Sequence, residues 1–230
     1  MTLLVLTLSL LKTGYIVLIF LFFLIPKAKF DNNKNWYKLI FISILCGFIL
    51  SISWVLLANN WHIETRSVAS SSKQIGFILE NPIRYFQIIY ISLIGYRREL
   101  LEQLIGRLGW LDVTLPSWFK YFYLFILLFL SGITQLKFKL WQRILLLGVS
   151  STLTFIIITL IYLTWSGVGA VSLEGLQGRY FFVPAIGLLL SISGILSNFM
   201  KIKNTRHLVL IFSIFSIFMT ISALLQRYYI

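Results

Sequence analysis

Apolar residues in this chain come in long unbroken blocks, near 37–57, 117–135, 140–165, 179–199 and 206–226. Each block has the ~20 residues that carry a helix across a hydrocarbon core of roughly 30 Å. Inside lipid a backbone must satisfy its own hydrogen bonds, so helices are expected. Spanning strands would alternate apolar and polar residues, and these blocks do not. A sixth apolar stretch, 1–25, is interrupted at "LLKTGYIVL" by Lys12, Thr13 and Gly14. Such an interruption predicts two half-length segments or a kinked helix. The stretch has neither the basic leader nor the small-residue cleavage site of a signal peptide, so the chain reads as starting inside membrane structure.

Residues 58–116 break the rhythm. "TRSVASSSK" reads as a loop. Residues 83–96 are mostly apolar but too few to span. In 97–105, Leu100, Leu101, Leu104 and Ile105 share a helical face, with Glu99 and Glu102 opposite part of it. That pattern predicts a helix lying in the interface. A span over 82–104 is the competing reading, and it would break the charge pattern downstream. The expectation is an all-α polytopic membrane protein of five to seven transmembrane helices plus one outer interfacial helix. It would form a single integral membrane domain over 1–230, with outer loops at 58–116 and 166–179.

Composition agrees: 59% of residues are hydrophobic and 12% charged, with a mean hydropathy of +0.90, whereas soluble domains carry roughly 25% charge. The net charge of +13 follows loops. It forms no aromatic-interleaved stripe of the kind that binds nucleic acid. Segments 26–38, 135–143 and 200–207 hold ten basic residues against one acid, Asp31. By the positive-inside rule they face the cytoplasm. Residues 58–116 are nearly balanced, six basic against five acidic, and 166–179 add Glu174 and Arg179. These segments, with the C-terminal Arg227, are expected outside. The lone cysteine, Cys46, reads as a small core or lipid-facing residue. His62 and His207 have no partners at ligand spacing, so no metal site is expected.

Two polar constellations fall on the outer side. In "GRLGWLDVTLP", 106–116, Gly106 and Gly109 allow turns, Trp110 suits an interface, and Pro116 precedes a helix. Asp112 reads either as a chemical carboxylate or as a solvated or capping one. In "GLQGRYFFVP", 175–184, glycines let backbone approach closely. Arg179 stands at a helix end where its planar fork can grip a phosphate. Gln177 adds a donor and an acceptor beside it. The competing reading is an arginine snorkelling to headgroups. Arg97, Arg98 and Arg107 serve either a phosphate site or headgroups and Glu99 and Glu102. Lys12, costly in an apolar run unless it faces a wet cavity, is placed toward the same site.

"LLKTGY", "GRLGWLDVTLP" and "GLQGRYFFVP" together resemble the bacterial membrane-protein family known as domain of unknown function 2142. The likeness runs over essentially the whole chain. It implies a polytopic fold similar to the C-type glycosyltransferases, which transfer a sugar from a polyprenyl-phosphate carrier on the non-cytoplasmic side. The resemblance implies a donor phosphate or sugar pocket at Arg179, Gln177 and Tyr180, with Gly178 and Arg107 beside it. Trp110 and Asp112 would border the acceptor, and Lys12 would lie near the carrier phosphate. Asp112 and Glu174 are the candidate catalytic carboxylates. Members of the family carry an outer Pro-Asp-Glu loop followed by a His, which this sequence lacks, so the chain resembles a C-terminal portion. A divalent metal would be expected only if such an acidic loop were supplied.

The expected function is therefore a membrane glycosyltransferase, or its C-terminal part, in cell-surface polysaccharide or glycolipid modification at the bacterial inner membrane. Membrane lipids, a polyprenyl-phosphate-linked sugar, and an N-terminal half or envelope-assembly partner are the expected partners. A flippase or transporter subunit is the non-enzymatic alternative, although 144–162 and 208–221 offer little beyond Ser and Thr for a polar path. The remaining alternative is an inactive, truncated relic.

Overall fold

In the computed structural model the described residues are 13–30, 32–59, 70–134, 136, 138–198 and 205–229. Helices dominate. In chain order they are α1 (Asn33–Asn59), α2 (Ser71–Glu80), α3 (Pro82–Ile105), α4 (Ser117–Ile133), α5 (Leu140–Trp165), α6 (Phe182–Ser191) and α7 (Thr205–Tyr228). Two-residue strands β1 (Arg107–Leu108) and β2 (Val113–Thr114) pair antiparallel between α3 and α4. Three helical stretches are long and apolar enough to cross a membrane: Lys34–Trp54, Leu140–Trp165 and Thr205–Tyr228.

The remaining apolar blocks take other forms. The described part of 1–25 is a 3₁₀ helix, Thr13–Leu24, the tighter winding that usually occurs in short pieces. The block at 117–135 becomes α4, 17 residues long, or about 25 Å at 1.5 Å per residue. The block at 179–199 is not one span. A 3₁₀ turn, Gly178–Phe181, leads into α6, which ends at Ser191. The outer segment 58–116, expected to hold one interfacial helix, is largely helical where described, and α3 runs unbroken for 24 residues. Its charged last turns keep it out of the span class.

The chain divides into two compact units. The first comprises the described residues up to Ser92 together with Leu145–Gly175. Within it Ile19 and Phe22 of the 3₁₀ helix pack against Trp36 and Ile40 of α1. The Trp36 indole N–H, which needs a partner when buried, donates to the Ile25 carbonyl at 3.0 Å. Leu146, Val149, Leu153, Ile157 and Ile161 form the buried stripe of α5, at the three- and four-residue spacing of one helical face. Tyr85 meets Thr159 of that helix hydroxyl to hydroxyl at 2.6 Å. Gln74 of α2 is fully buried. Its Oε1 accepts the Gly169 N–H at 3.0 Å, and its Nε2 donates to the Tyr162 carbonyl.

The second unit comprises Leu93–Ile144 and Leu176–Ile230. There α4 and α7 meet through aromatic rings, Phe119 with Phe215 at 5.7 Å and Tyr123 with Phe212 at 5.1 Å between centroids. No residue of α7 is buried; its apolar side chains form the kind of surface that lipid covers. The end of α6 is held from outside. Arg143 donates from Nη1 to the Ser191 carbonyl at 2.6 Å and from Nη2 to the Ser193 carbonyl at 2.7 Å. The Gly194 N–H donates to the Ser131 carbonyl of α4. The last carbonyls of a helix have no partner within it, and here a guanidinium supplies one.

Arg143→Ala should therefore destabilise the protein by about 2–4 kcal/mol, the scale of charged hydrogen bonds left unmade. Thermal unfolding in detergent measures it. A melting temperature equal to that of the parent would show that the α6 terminus is held by other means.

Candidate functional site

The two polar motifs of the sequence converge on the last turns of α3. Gln103 is 6% exposed, and both ends of its amide are used. Its Oε1 accepts the Gly178 N–H at 2.7 Å, and its Nε2 donates to Glu99 Oε1 at 3.0 Å. Close approach makes this possible. A Cβ on Gly178 would overlap the Leu100 carbonyl oxygen and come within 2.7 Å of the Leu104 nitrogen. Glycine is the residue that fits there, which answers why Gln177 and Arg179 are framed by one. Glu99 Oε1 also faces Arg107 Nη1 at 3.4 Å. The late motif and the middle motif are thus linked through Gln103 and Glu99.

Glu102, one turn along α3, is the electrostatic centre. It pairs with Arg98 at 3.4 Å, Lys120 at 3.4 Å and Arg107 at 3.5 Å. Burial by itself pushes its carboxyl up, but Lys120, Arg107 and Arg98 outweigh that and leave it below its ordinary 4.5. Lys120 lies in the first turn of α4 with a side chain only 9% exposed. Gly106 makes that burial possible, because a Cβ there would come within 2.5 Å of the Lys120 Cγ and Cδ. The stem therefore lies where any other residue's side chain would begin.

Two cavities open beside this pair. One, about 320 Å³, is lined by Arg97, Arg98, Lys120 and Glu102 and by Leu101, Ile105, Tyr121 and Leu124. The other, about 420 Å³, is bounded by Glu102 and Lys120, by Thr114 and Ser117, and by Ser222 and Gln226 of α7.

The hairpin is fixed separately. Gly109 has a φ of +62° and no room for a Cβ, which would lie 2.8 Å from Asp112 Oδ1. Asp112 Oδ1 accepts the Trp110 N–H at 3.1 Å. Its Oδ2 accepts the Tyr228 hydroxyl at 2.9 Å and faces Arg227 at 3.9 Å. The Tyr228 hydrogen bond, then the Trp110 N–H and Arg227, hold its carboxyl below the ordinary 3.8. Asp112 ties the hairpin tip to the end of α7. Trp110, 96% exposed, stands at that tip.

Arg179 is exposed, with its guanidinium 5.7 Å from the Tyr180 ring centroid, a cation–π distance. Gln177 Oε1 and Arg107 Nε are buried atoms with no hydrogen-bond partner among the described residues. Glu174 belongs to the first unit, where its N–H donates to Ser166 Oγ at 3.1 Å. Lys12 lies outside the described residues. No group of three His, Cys, Asp or Glu that could hold a metal occurs among the described residues. Sequence reasoning missed Lys120, Gln103 and Glu102 as site residues. Lys120 carried a signal: it is the only charge in "SWFKYFYLFILLFL".

A family model described as "Predicted membrane protein (DUF2142)" matches residues 1–189. The chain belongs to this family. The match covers α1 to α5, both polar motifs and most of α6, so the α3 cluster lies within the family's own extent. No curated protein and no solved structure matches the chain.

Two consequences can be measured. Gly178→Ala should expose the 175–184 segment to protease and lower the melting temperature. Unchanged cleavage would mean that the segment is not seated on α3. The carboxyl of Glu102 is depressed, so its stabilising pairing is fully present above its ordinary 4.5 and is lost as pH falls through the lower folded value. Unfolding followed down from pH 5 should show this loss, and Glu102→Gln should flatten it. An equally steep acid limb in the variant would place the linkage elsewhere.

Proposed function

We propose that this protein binds a lipid-linked sugar phosphate at the non-cytoplasmic surface of the bacterial inner membrane. In this reading it works as a polyprenyl-phosphate-sugar-dependent glycosyltransferase in cell-surface polysaccharide or glycolipid modification. The observation that carries the proposal is the 320 Å³ cavity. Its lining joins Arg97, Arg98, Leu101, Glu102 and Ile105 of α3 to Lys120, Tyr121 and Leu124 of α4, so cations and apolar side chains share one wall. A phosphate on an apolar chain presents the matching mixture. Guanidinium forks bind phosphate oxygens bidentately, and the aliphatic wall gains from contact with a hydrocarbon. The distribution of Lys and Arg supports the outward orientation. Membership in a membrane-protein family is consistent with it.

In glycosyl transfer an acceptor oxygen bonds to the anomeric carbon of the sugar. The bond from that carbon to the phosphate oxygen breaks, and the phosphate leaves with the electron pair. Cations placed beforehand around the departing oxygen stabilise the charge that develops there, which is the role of Arg97, Arg98 and Lys120. The acceptor's proton must pass to a base, and Glu102 is the carboxylate that lines the cavity. Arg179, Gln177 and Tyr180 lie on the segment that Gln103 seats through Gly178; they do not line the cavity, and in this reading they meet the sugar-bearing end of the donor.

A second reading shares the binding and drops the chemistry. Three cations around Glu102 make it a weak base, which favours a carrier-binding subunit of a flippase or assembly complex. Two measurements separate the readings. Protein in nanodiscs titrated with a polyprenyl phosphate should lose about tenfold or more in affinity on the double substitution Arg97→Ala, Arg98→Ala, at 1.4 kcal/mol per tenfold. Equal affinity would overturn the binding site. Arg179→Ala should abolish a surface sugar modification in cells that still insert the protein. An unaltered glycan profile at normal protein level would leave only the carrier-binding reading.

A further inference from the structure

The Glu102–Lys120 pair faces two cavities of different chemistry. The first has guanidinium groups and hydrocarbon walls. The second, about 420 Å³, is lined by the hydroxyl residues Thr114, Ser117 and Ser222 and by Gln226, together with apolar Leu115, Pro116, Met219 and Ala223. Among the described residues Lys120 is the one cation that lines it, beside the Glu102 carboxylate. A hydrocarbon chain could touch only the apolar part of these walls, and the polar groups it covered would lose their partners; a sugar ring has both C–H faces and hydroxyls to match the mixture. A phosphate would find one ammonium there instead of three cations. A neutral group bearing several hydroxyls matches both the donors and the acceptors, since each hydroxyl can give one hydrogen bond and take two.

The ammonium of Lys120 has three donor directions on a compact charge. One faces Glu102. The stem is fixed over Gly106, so the head group stays at the wall common to both cavities. That is the position of the linkage between a phosphate in the first cavity and whatever is attached to it in the second. Resting on the reading proposed above, we infer that the second cavity is the sugar subsite, formed by Thr114, Ser117, Ser222 and Gln226. Lys120 stands at the phosphate–sugar junction as a positioning residue.

The test uses the full chain in nanodiscs and two kinds of lipid. One is a bare polyprenyl phosphate. The other is a panel of polyprenyl phosphates carrying a hexose, an N-acetylhexosamine or a pentose. Parent protein should bind at least one sugar-bearing lipid about tenfold more tightly than the bare one, the scale of one or two hydrogen bonds. Ser222→Leu, which fills the second cavity, should reduce that affinity to the level of the bare lipid and leave the bare lipid unaffected. Gln226→Ala, which removes an amide without crowding, should lose part of the preference and guards against a misfolded Ser222→Leu protein. Parent protein that binds every lipid alike, or variants that keep the preference, would overturn the sugar subsite while the phosphate site stands. Parent protein that binds none of the lipids would overturn both.

Discussion

Backbone that leaves regular helix inside a membrane protein must find its hydrogen bonds in side chains, because lipid offers none. This chain meets that demand with three long polar residues. In the first unit Gln74 is fully buried and takes the Gly169 N–H of the irregular 166–175 segment. In the second, Gln103 takes the Gly178 N–H. Arg143 caps the carbonyls of Ser191 and Ser193 where α6 stops. Each is a polar group that would be costly if unpaired, and each holds a segment that would otherwise have no fixed place. Of the three, the Gly178 segment belongs to a polar motif, so the placing of 175–184 depends on Gln103.

Gln103 also links structure to electrostatics. Its second hydrogen bond, to Glu99, holds a carboxylate that faces Arg107. Glu102 then gathers Arg98, Arg107 and Lys120. A lysine as buried as Lys120 costs several kcal/mol unless paired, and the pairing is present. An apolar residue in its place would remove both the charge and the need for a counter-ion, often at no loss of stability. Stability alone therefore gives no reason for a lysine over Gly106. The proposed phosphate ligand, which would use the ammonium, supplies one.

Much of this was legible in the residues. Apolar blocks gave α1, α5 and α7 to within a few residues, because an uninterrupted run of that length has one outcome in lipid. The block at 179–199 misled. Its apolar residues continue, but the chain turns at Ile192–Gly194, fixed by Arg143 from far along the sequence. In 58–116 the residues pointed to a loop at "TRSVASSSK" and to an interfacial helix near 97–105, but not to α2 or to the full length of α3. α2 and α3 form there through contacts such as Gln74 with Tyr162 and Gly169, which local composition does not reveal. At the site, Gly178 and its framing role were visible as a motif. Asp112 was visible too, but its partners Tyr228 and Arg227 come from the other end of the chain. Lys120 was visible only as an isolated charge. Its meaning required Gly106 and Glu102 to be brought beside it.

Helix polarity adds a last reason why this cluster suits an anion. Arg97 and Arg98 lie about two turns before the end of α3, outside the last turn in which the partial negative end of a helix favours cations. Lys120 lies in the first turn of α4, where the partial positive end disfavours one. Glu102 offsets that penalty, but it does so for three cations at once, at 3.4 to 3.5 Å. Direct charge-assisted contacts close to about 2.8 Å. One carboxylate spread over three partners leaves each of them incompletely neutralised. A phosphate brings up to two negative charges and three free oxygens, enough to pair these cations more closely while Glu102 keeps its place. Glu102, with Glu99 beside Arg107, holds the cations in place, and the proposed phosphate-bearing lipid would supply the further negative charge.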